Sequence, residues 1–374
     1  MSKFILLFSV ITFSVTSAKC QFSSYGFIGS FANGLASVES KGKYGFIDKA
    51  GTIAIPCIYE NSSIHFSEGV AAAELNGKYG YIDKNGRVKI PFIYDYAGDF
   101  SEGLSAVRLN GLYGYIDKNN KIVVPFQFDT ARDFSNGLAA VSTGKAGEVF
   151  NGSNCDGESG VSFLYGFINK SGRFVYSELF LSIVPPGKAE CDGSAMTSFS
   201  DSVCFVNHLE YGWSIIDTKG RVRNIVGIVQ DPSLYVYEFY RFSEGLYELN
   251  QNGRSGFMNT NLEVEIPCVF DNVLSFSEGL AAVEINEKFG FIDRSGKLVI
   301  AANYEVGYFP RFSEGLVWVK FNGKYGAINK EGAVIIPFEY DEVFSDFSDG
   351  LSKVLLNGKE CFIDMDNKCV LNCN

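Results

Sequence analysis

FSEGLSAVRLNGLYGYIDKNNKIVVPFQFD, running from Phe100 to Asp129, decides the fold: it holds two turns and three extended runs, and then its opening phrase begins again. Asn110-Gly111 joins a run around Leu104 to Leu109 to one around Tyr113 to Ile116. This dipeptide is the strongest short-range hairpin signal, because both residues tolerate the positive φ of a type I′ turn. It returns as Asn76-Gly77, Asn322-Gly323 and Asn357-Gly358. The second turn reads Asp-x-x-Gly, at Asp48 to Gly51, Asp83 to Gly86 and Asp293 to Gly296, with Asp first and Gly fourth as type I turns prefer. A third run follows, Lys121 to Phe128, carrying a proline that recurs at Pro56, Pro91, Pro267 and Pro337. Proline cannot donate to a central ladder, so that slot faces an edge or a bulge. Each unit reads as a three-stranded meander.

The opening phrase Phe-Ser-Glu-Gly-Leu, or a close relative, returns at Phe31, Phe66, Phe100, Phe134, Phe242, Phe276, Phe312 and Phe347, most successive copies lying 34 to 36 residues apart. Fixed periods of about 20 to 50 residues mark arrays whose units cannot bury their apolar faces alone and must stack. The expectation is therefore all-β: tandem three-stranded meander repeats of about 35 residues in an open β-solenoid or superhelix. A closed β-propeller-like ring is the alternative, less favoured because propeller blades usually have about four strands. In the first strand one parity is mostly apolar (Ser105, Val107, Leu109), and the other carries Glu74, Arg108, Glu284 or Lys320. The first is expected to face the core and the second solvent.

A Tyr-Gly pair recurs in the second strand, at Tyr44-Gly45, Tyr79-Gly80, Tyr113-Gly114, Tyr165-Gly166, Tyr211-Gly212 and Tyr325-Gly326, with Phe289-Gly290 as a variant. A strand glycine weakens its strand unless another group needs the space, and the expected group is a neighbouring aromatic ring. The tyrosines themselves read as a buried aromatic ladder, the alternative being an exposed row that stacks on sugar rings.

The combined pattern, K-Y-G-F-I-D-K-x-G-x-x-x-I-P-x-x-Y followed by F-S-E-G-L-A-x-V, resembles the WG repeat family of β-rich repeats over about Tyr25 to Asp364. The namesake Trp is Tyr or Phe here, and Glu360-Cys361 replaces the aromatic and glycine in the last copy. The resemblance implies an often exported, non-catalytic repeat protein that binds other molecules, and it brings no catalytic residues.

Domain organisation follows from the ends and the middle. Lys3, an apolar run from Phe4 to Val15 and the small residues Thr16, Ser17 and Ala18 read as a signal peptide within residues 1–20, cleaved after Ala18 or Cys20. Residues 21–374 form the array, with a divergent middle at 142–241 that includes a Gly, Ser and Asn rich insertion and a decayed anchor at Phe199. The expected location is secreted, cell-surface or periplasmic, without a membrane span. Net charge −11 and pI near 4.9 oppose binding to nucleic acid.

In an oxidising compartment Cys155, Cys191 and Cys204 in the middle, and Cys361, Cys369 and Cys373 in the last repeat, are candidates for local disulfides. Cys57 and Cys268 take a slot that is Phe in other copies and read as apolar fillers. Asn61, Asn151 and Asn169 fit the N-glycosylation acceptor. No metal site is expected, with only His65 and His208 and neither near a Cys-x-x-Cys; no cofactor motif is present. The acidic row Glu68, Glu102, Glu244, Glu278 and Glu314 reads as turn acceptors or solvated charge, with cation binding as the rival reading. Together these give a monomeric, exported, non-catalytic scaffold for a protein or glycan partner. The alternatives are a purely structural surface protein, or an enzyme on a propeller with a pocket lined by Asp95, Asp129, Asp271 and Asp341.

Overall fold

The computed structural model describes residues 27–60, 65–143, 164–181, 198–208, 212–224, 242–305, 307 and 310–372, and everything described is strand, turn or short link. The third repeat shows the plan. Leu104–Leu109 pairs antiparallel with Leu112–Asp117 across Asn110-Gly111, both residues at positive φ, and Leu112–Asp117 pairs with Ile122–Phe128. The predicted meander is there, with the expected turns. Asp83 shows the second turn at work: its Oδ1 accepts from the N–H groups of Asn85 and Arg87 while its carbonyl accepts from Gly86.

The proline slot is a wide bulge. Tyr79 pairs with Tyr94 and Tyr81 with Ile90, so Gly80 alone faces the three residues Pro91, Phe92 and Ile93. The bulge pushes the third strand's backbone onto the glycine, where a Cβ would lie 2.7 Å from the Ile90 carbonyl oxygen and 2.9 Å from the Phe92 nitrogen. Gly114 meets Val124 and Pro125 in the same way. The group that needs the space is therefore bulged backbone rather than an aromatic ring, and Gly326 alone among these meets a ring, that of Phe338, as well. The last repeat confirms the cause. Cys361 occupies the glycine slot there, and its third strand, Cys369–Leu371, stops where the others enter the bulge.

Phe-Ser-Glu-Gly forms a second hairpin turn. Ser67 and Val70 exchange backbone hydrogen bonds across Glu68 at φ 49° and Gly69 at φ 91°. The chain just before it adds a strand, as Tyr96–Ala97 pairs with Leu104–Leu109 and Glu342–Val343 with Leu351–Leu356. Each such sheet is therefore four-stranded, the added strand being two residues long. The same hairpin at Ser200 and Val203, with strands Val203–His208, Gly212–Asp217 and Val222–Asn224, carries the repeat through the divergent middle. Counted by anchor, with Phe199 included, nine repeats stand at Phe31, Phe66, Phe100, Phe134, Phe199, Phe242, Phe276, Phe312 and Phe347.

Both faces of each sheet are buried, which corrects the expectation of a solvent parity over the first part of the first strand. Ala72, Tyr81, Ile90 and Tyr94 of the second repeat pack on Ala97, Phe100, Val107 and Ile116 of the third. Ala106, Tyr115, Val124 and Phe128 on the third repeat's other face pack on Phe134, Ala139, Val141 and Ile168 of the fourth. Only the strand end, with Arg108 and its counterparts, escapes burial. Every interface has an aromatic ring on the next anchor: Phe46 on Phe66, Tyr81 on Phe100, Tyr115 on Phe134, Phe167 on Phe199, Phe205 on Phe242, Phe257 on Phe276, Phe291 on Phe312 and Trp318 on Phe347, at 4.8–5.4 Å.

The series has one more member. Phe362 of the last repeat lies edge-on to Phe31 of the first at 5.3 Å, and Ile28, Ala36 and Val38 share a core with Leu351 and Leu371. No single sheet closes into a barrel, but the array returns on itself. Of the two arrangements weighed from the sequence, open superhelix and closed ring, end-to-end contact is the mark of the ring. The strand number that favoured the open form changes once the short fourth strand is included.

Candidate functional site

The recurring polar residues are the natural place to look for chemistry, and most of them are used to clasp one repeat to the next. Glu68 holds left-handed backbone, a conformation that costs a non-glycine residue free energy. Its carboxylate offsets that cost by accepting the Gly103 N–H of the following repeat at 3.2 Å and meeting Lys118 Nζ at 3.0 Å. Glu102 accepts from Gly137, Glu244 from Gly279, Glu278 from Gly315 and Glu314 from Gly350 in the same manner. Asp349 accepts from Gly34, repeating the clasp where the ring closes. Beneath this row Ser67 Oγ donates to the Phe100 carbonyl at 2.6 Å, and Ser101, Ser135, Ser200, Ser243, Ser277 and Ser313 do likewise to the next anchor. The turn-acceptor reading of the acidic row is the one its geometry supports. The signal for it was present in Asn33, Asn136, Asp201 and Asp349, residue types that tolerate left-handed backbone at the same slot.

The carboxylates ending the third strand form a second clasp. Asp95 meets Lys78 Nζ at 2.6 Å and accepts from Gly111 in the next Asn-Gly turn; Asp341 meets Lys324 and accepts from Asn357; Asp271 meets Arg254 and accepts from Asn286. The Lys324 hydrogen bond holds the Asp341 carboxyl below its usual range, as Lys78 does for Asp95. These residues brace hairpins and do not converge on a common pocket.

A cavity of about 470 Å³ opens over the first four repeats. Tyr44, Tyr79 and Tyr96 give it aromatic walls, and His65, Asp99 and Asp133, each the residue just before an anchor, give it polar ones. Ala72, Ala97 and Gly98 complete its lining. Tyr79 and Tyr96 stand 5.6 Å apart, Tyr96 and Tyr113 5.9 Å. His65 Nε2 lies 2.6 Å from Asp99 Oδ2. Glu60, at the rim, is held by Lys43 at 2.8 Å and by the Gly77 N–H, which lower its carboxyl pKa. Asp133 accepts no hydrogen bond and joins no salt bridge among the described residues; loss of hydration, then the Asp99 carboxylate, pushes it up to about 6. Its side chain is more than a third exposed, so the shift carries little stability. Burial, then Glu74, raises the Tyr79 hydroxyl to about 12. The tyrosine row thus divides: Tyr113 and Tyr325 are buried, as a ladder would be, while Tyr44 and Tyr79 face open space.

The other predicted positions fall as follows. Cys204 and Cys361 lie buried in cores between repeats, each as a thiol rather than half of a disulfide. Burial pushes the Cys361 thiol pKa up. Cys369 is disulfide-bonded. Cys57 and Cys268 are half-buried, with their Sγ atoms toward the carbonyls of Val38 and Leu249. Asn169 stands where most repeats have the turn Asp, its Oδ1 accepting from the N–H groups of Ser171 and Arg173. Cys155, Cys191, Cys373, Asn61, Asn151 and the signal segment lie outside the described residues. Among the described residues no group of His, Cys, Asp and Glu is arranged to hold a metal, and no helix is long and apolar enough to cross a membrane.

Solved structures that this chain partly resembles include a eukaryotic initiation factor (9% identity, 95% of this chain and 88% of that one, TM-score 0.44) and BamB from Moraxella catarrhalis (12%, 94% and 97%, TM-score 0.34). PorZ, a surface component of the type-IX secretion system of Porphyromonas gingivalis, is also similar (9%, 94% and 53%, TM-score 0.31), the chain spanning about half of its length. A search of the curated proteins finds no match. The model of the WG containing repeat matches residues 20–44, 44–79, 79–113, 113–145, 256–289, 289–325 and 325–359, and the structure continues the same hairpins through the gap between 145 and 256. With more than half of its length matched, this chain belongs to the WG repeat family.

Proposed function

We propose that this protein is an exported, non-catalytic scaffold that binds a protein or glycan partner. The observation that carries the reading is the division of labour among its polar side chains. The periodic acids, serines and lysines that could have served a reaction are bonded to neighbouring repeats, while a cavity with tyrosine walls stays open among the described residues. Nucleophile-base pairs and phosphate loops are not among the motifs of the sequence. Export rests on the apolar leader at Phe4 to Val15 and the small residues after it.

The insertion at 144–163 is the second candidate for specificity, since long connections on a regular scaffold carry recognition. Removing all of Gly144 to Val206 would also take strands Leu164–Asn169 and Phe174–Leu181 out of the ring, so the test is narrower. Val141 pairs with Gly166, the register at which Val107 pairs with Gly114 across an Asn-Gly turn. A short Asn-Gly turn in place of 144–163 keeps the hairpin. The mature protein and this variant are compared on an array of glycans and extracellular proteins. Binding retained by the wild type and lost by the variant assigns recognition to the insertion; binding kept by both leaves it to the ring; a wild type that binds nothing sinks the scaffold reading.

A further inference from the structure

The first-strand residue that pairs across from the Tyr-Gly tyrosine is a cation in the third and eighth repeats and an acid in the first and second. In the third repeat Arg108 pairs with Tyr113 and holds its guanidinium over the ring, 5.8 Å from the centroid. In the eighth, Lys320 pairs with Tyr325 and places its ammonium over the ring at 5.4 Å. Those tyrosines are buried, each with a cation from its own repeat. In the first and second repeats the same position is Glu39, opposite Tyr44, and Glu74, opposite Tyr79. Among the described residues no cation of either repeat stands over these two rings, and both line the cavity.

The walls continue the theme. Tyr96 adds a third ring, while Asp99 and Asp133 add carboxylates, Asp99 in contact with His65 and Asp133 bonded to neither cation but within the fields of Arg132 and His65. An aromatic face attracts a cation through its quadrupole, more strongly once partly desolvated, and a carboxylate in the same lining adds direct attraction. The net charge of −11 draws cations toward the surface from a distance. We propose that this cavity takes an organic cation, the ammonium or guanidinium of a lysine or arginine side chain on a basic polypeptide, filling the place that Arg108 and Lys320 fill in their own repeats. This rests on the scaffold reading above and narrows its partner.

The test uses the full mature chain, isothermal titration at low salt, and four probes: octalysine, the same peptide acetylated on every side chain, spermidine, and a neutral chito-oligosaccharide. Octalysine is expected to bind, with the acetylated peptide at least tenfold weaker. Spermidine at comparable affinity would point to a free polyamine as a source of the same chemistry, and binding of octalysine alone to a polypeptide. The decisive variant is Glu74→Arg, which gives the second repeat the arrangement of the third and should weaken octalysine binding at least tenfold. Glu284→Arg, opposite Phe289 and away from the cavity, should leave it unchanged, and thermal melts report whether each variant keeps its fold. Asp133→Asn, which removes a charge without adding bulk, should weaken binding several-fold and serves if Glu74→Arg does not fold. The inference is overturned by equal binding of the acetylated peptide, by unchanged affinity in both cavity variants, or by the oligosaccharide binding where the cations do not. Array partners that persist in Glu74→Arg would overturn it while leaving the scaffold reading standing.

Discussion

Trp318→Ala tests the stacking of repeats most directly. In most repeats a small residue in the first strand pairs with a large aromatic in the second, Ala72 with Tyr81 and Ala106 with Tyr115, and that ring crosses to the next anchor. In the eighth repeat the sizes are exchanged: Trp318 pairs with Ala327. The two solutions end at the same place, since Tyr81 Oη lies 2.5 Å from Ser105 Oγ and Trp318 Nε1 donates to Ser352 Oγ, the equivalent serine, at 3.0 Å. Trp318 is 1% exposed and stacks on Phe347, so truncation leaves a cavity between two repeats at a cost of about 3–5 kcal/mol. Ala327→Tyr alone overpacks the occupied space and costs about 1–3 kcal/mol. The double variant restores the Ala72–Tyr81 arrangement and should recover about 2 kcal/mol relative to the sum of the singles, within the range of couplings measured for touching residues. Urea denaturation of all four proteins, followed by far-ultraviolet circular dichroism with the slope held common, gives the cycle. Strictly additive losses would refute the idea that the two positions share one space.

Further outcomes follow from the same geometry. Gly114→Ala should lower stability by about 1–3 kcal/mol in urea, because its Cβ would lie 2.7 Å from the Val124 carbonyl oxygen, whereas Cys361→Ala in the slot without a bulge should cost only about 1 kcal/mol. Phe31→Ala should open the ring where its ends meet. Hydrogen exchange should then quicken around Ile28 to Val38 and Leu351 to Leu371 with the middle repeats unchanged, and uniform quickening would contradict a local seam. Two pH effects have opposite signs. The carboxyl of Asp133 is raised to about 6, so the native state binds its proton more tightly than the unfolded chain does, and stability falls as pH rises from about 4 through 6; Asp133→Asn should raise the melting temperature at pH 8 and leave it nearly unchanged at pH 4, by under ~1 kcal/mol given its exposure. Glu68, lowered by its bond to Lys118, contributes stability that is present above the ordinary carboxylate range and lost as pH falls through it, so Glu68→Gln should flatten the acid limb of the melting curve.

The fold was readable where turns have strict backbone demands. Asn-Gly and Asp-x-x-Gly permit few conformations, so Asn110-Gly111 and Asp83 to Gly86 placed strands that the structure keeps. Glu68-Gly69 hid because glutamate seldom adopts left-handed backbone, and the clasp that stabilises it there reaches a glycine 35 residues away. Tyr96–Ala97 hid because a two-residue strand has no period to detect, yet it supplies the fourth strand. The cavity was the least legible part. Its makers, Tyr44, His65, Tyr79, Asp99 and Asp133, come from four successive repeats, and nothing in their local sequence marks them.

A closed array explains why single positions can drift without loss of the whole. Each repeat touches two neighbours through the same aromatic pair, serine bond and acidic clasp, so an interface that lacks one element keeps the others. Between the fourth and fifth repeats Asn136 replaces the glutamate and bonds the Phe199 carbonyl, while Ser135 and the Phe167–Phe199 pair remain. An open array would leave the apolar faces of its first and last repeats exposed or in need of polar caps. Here those faces, with Phe31 and Phe362 at their centres, cover each other. The cavity opens where neighbouring repeats place small side chains such as Ala72 and Ala97 beside tyrosines that no stacking pair claims, so it belongs to the joins between repeats rather than to any one of them.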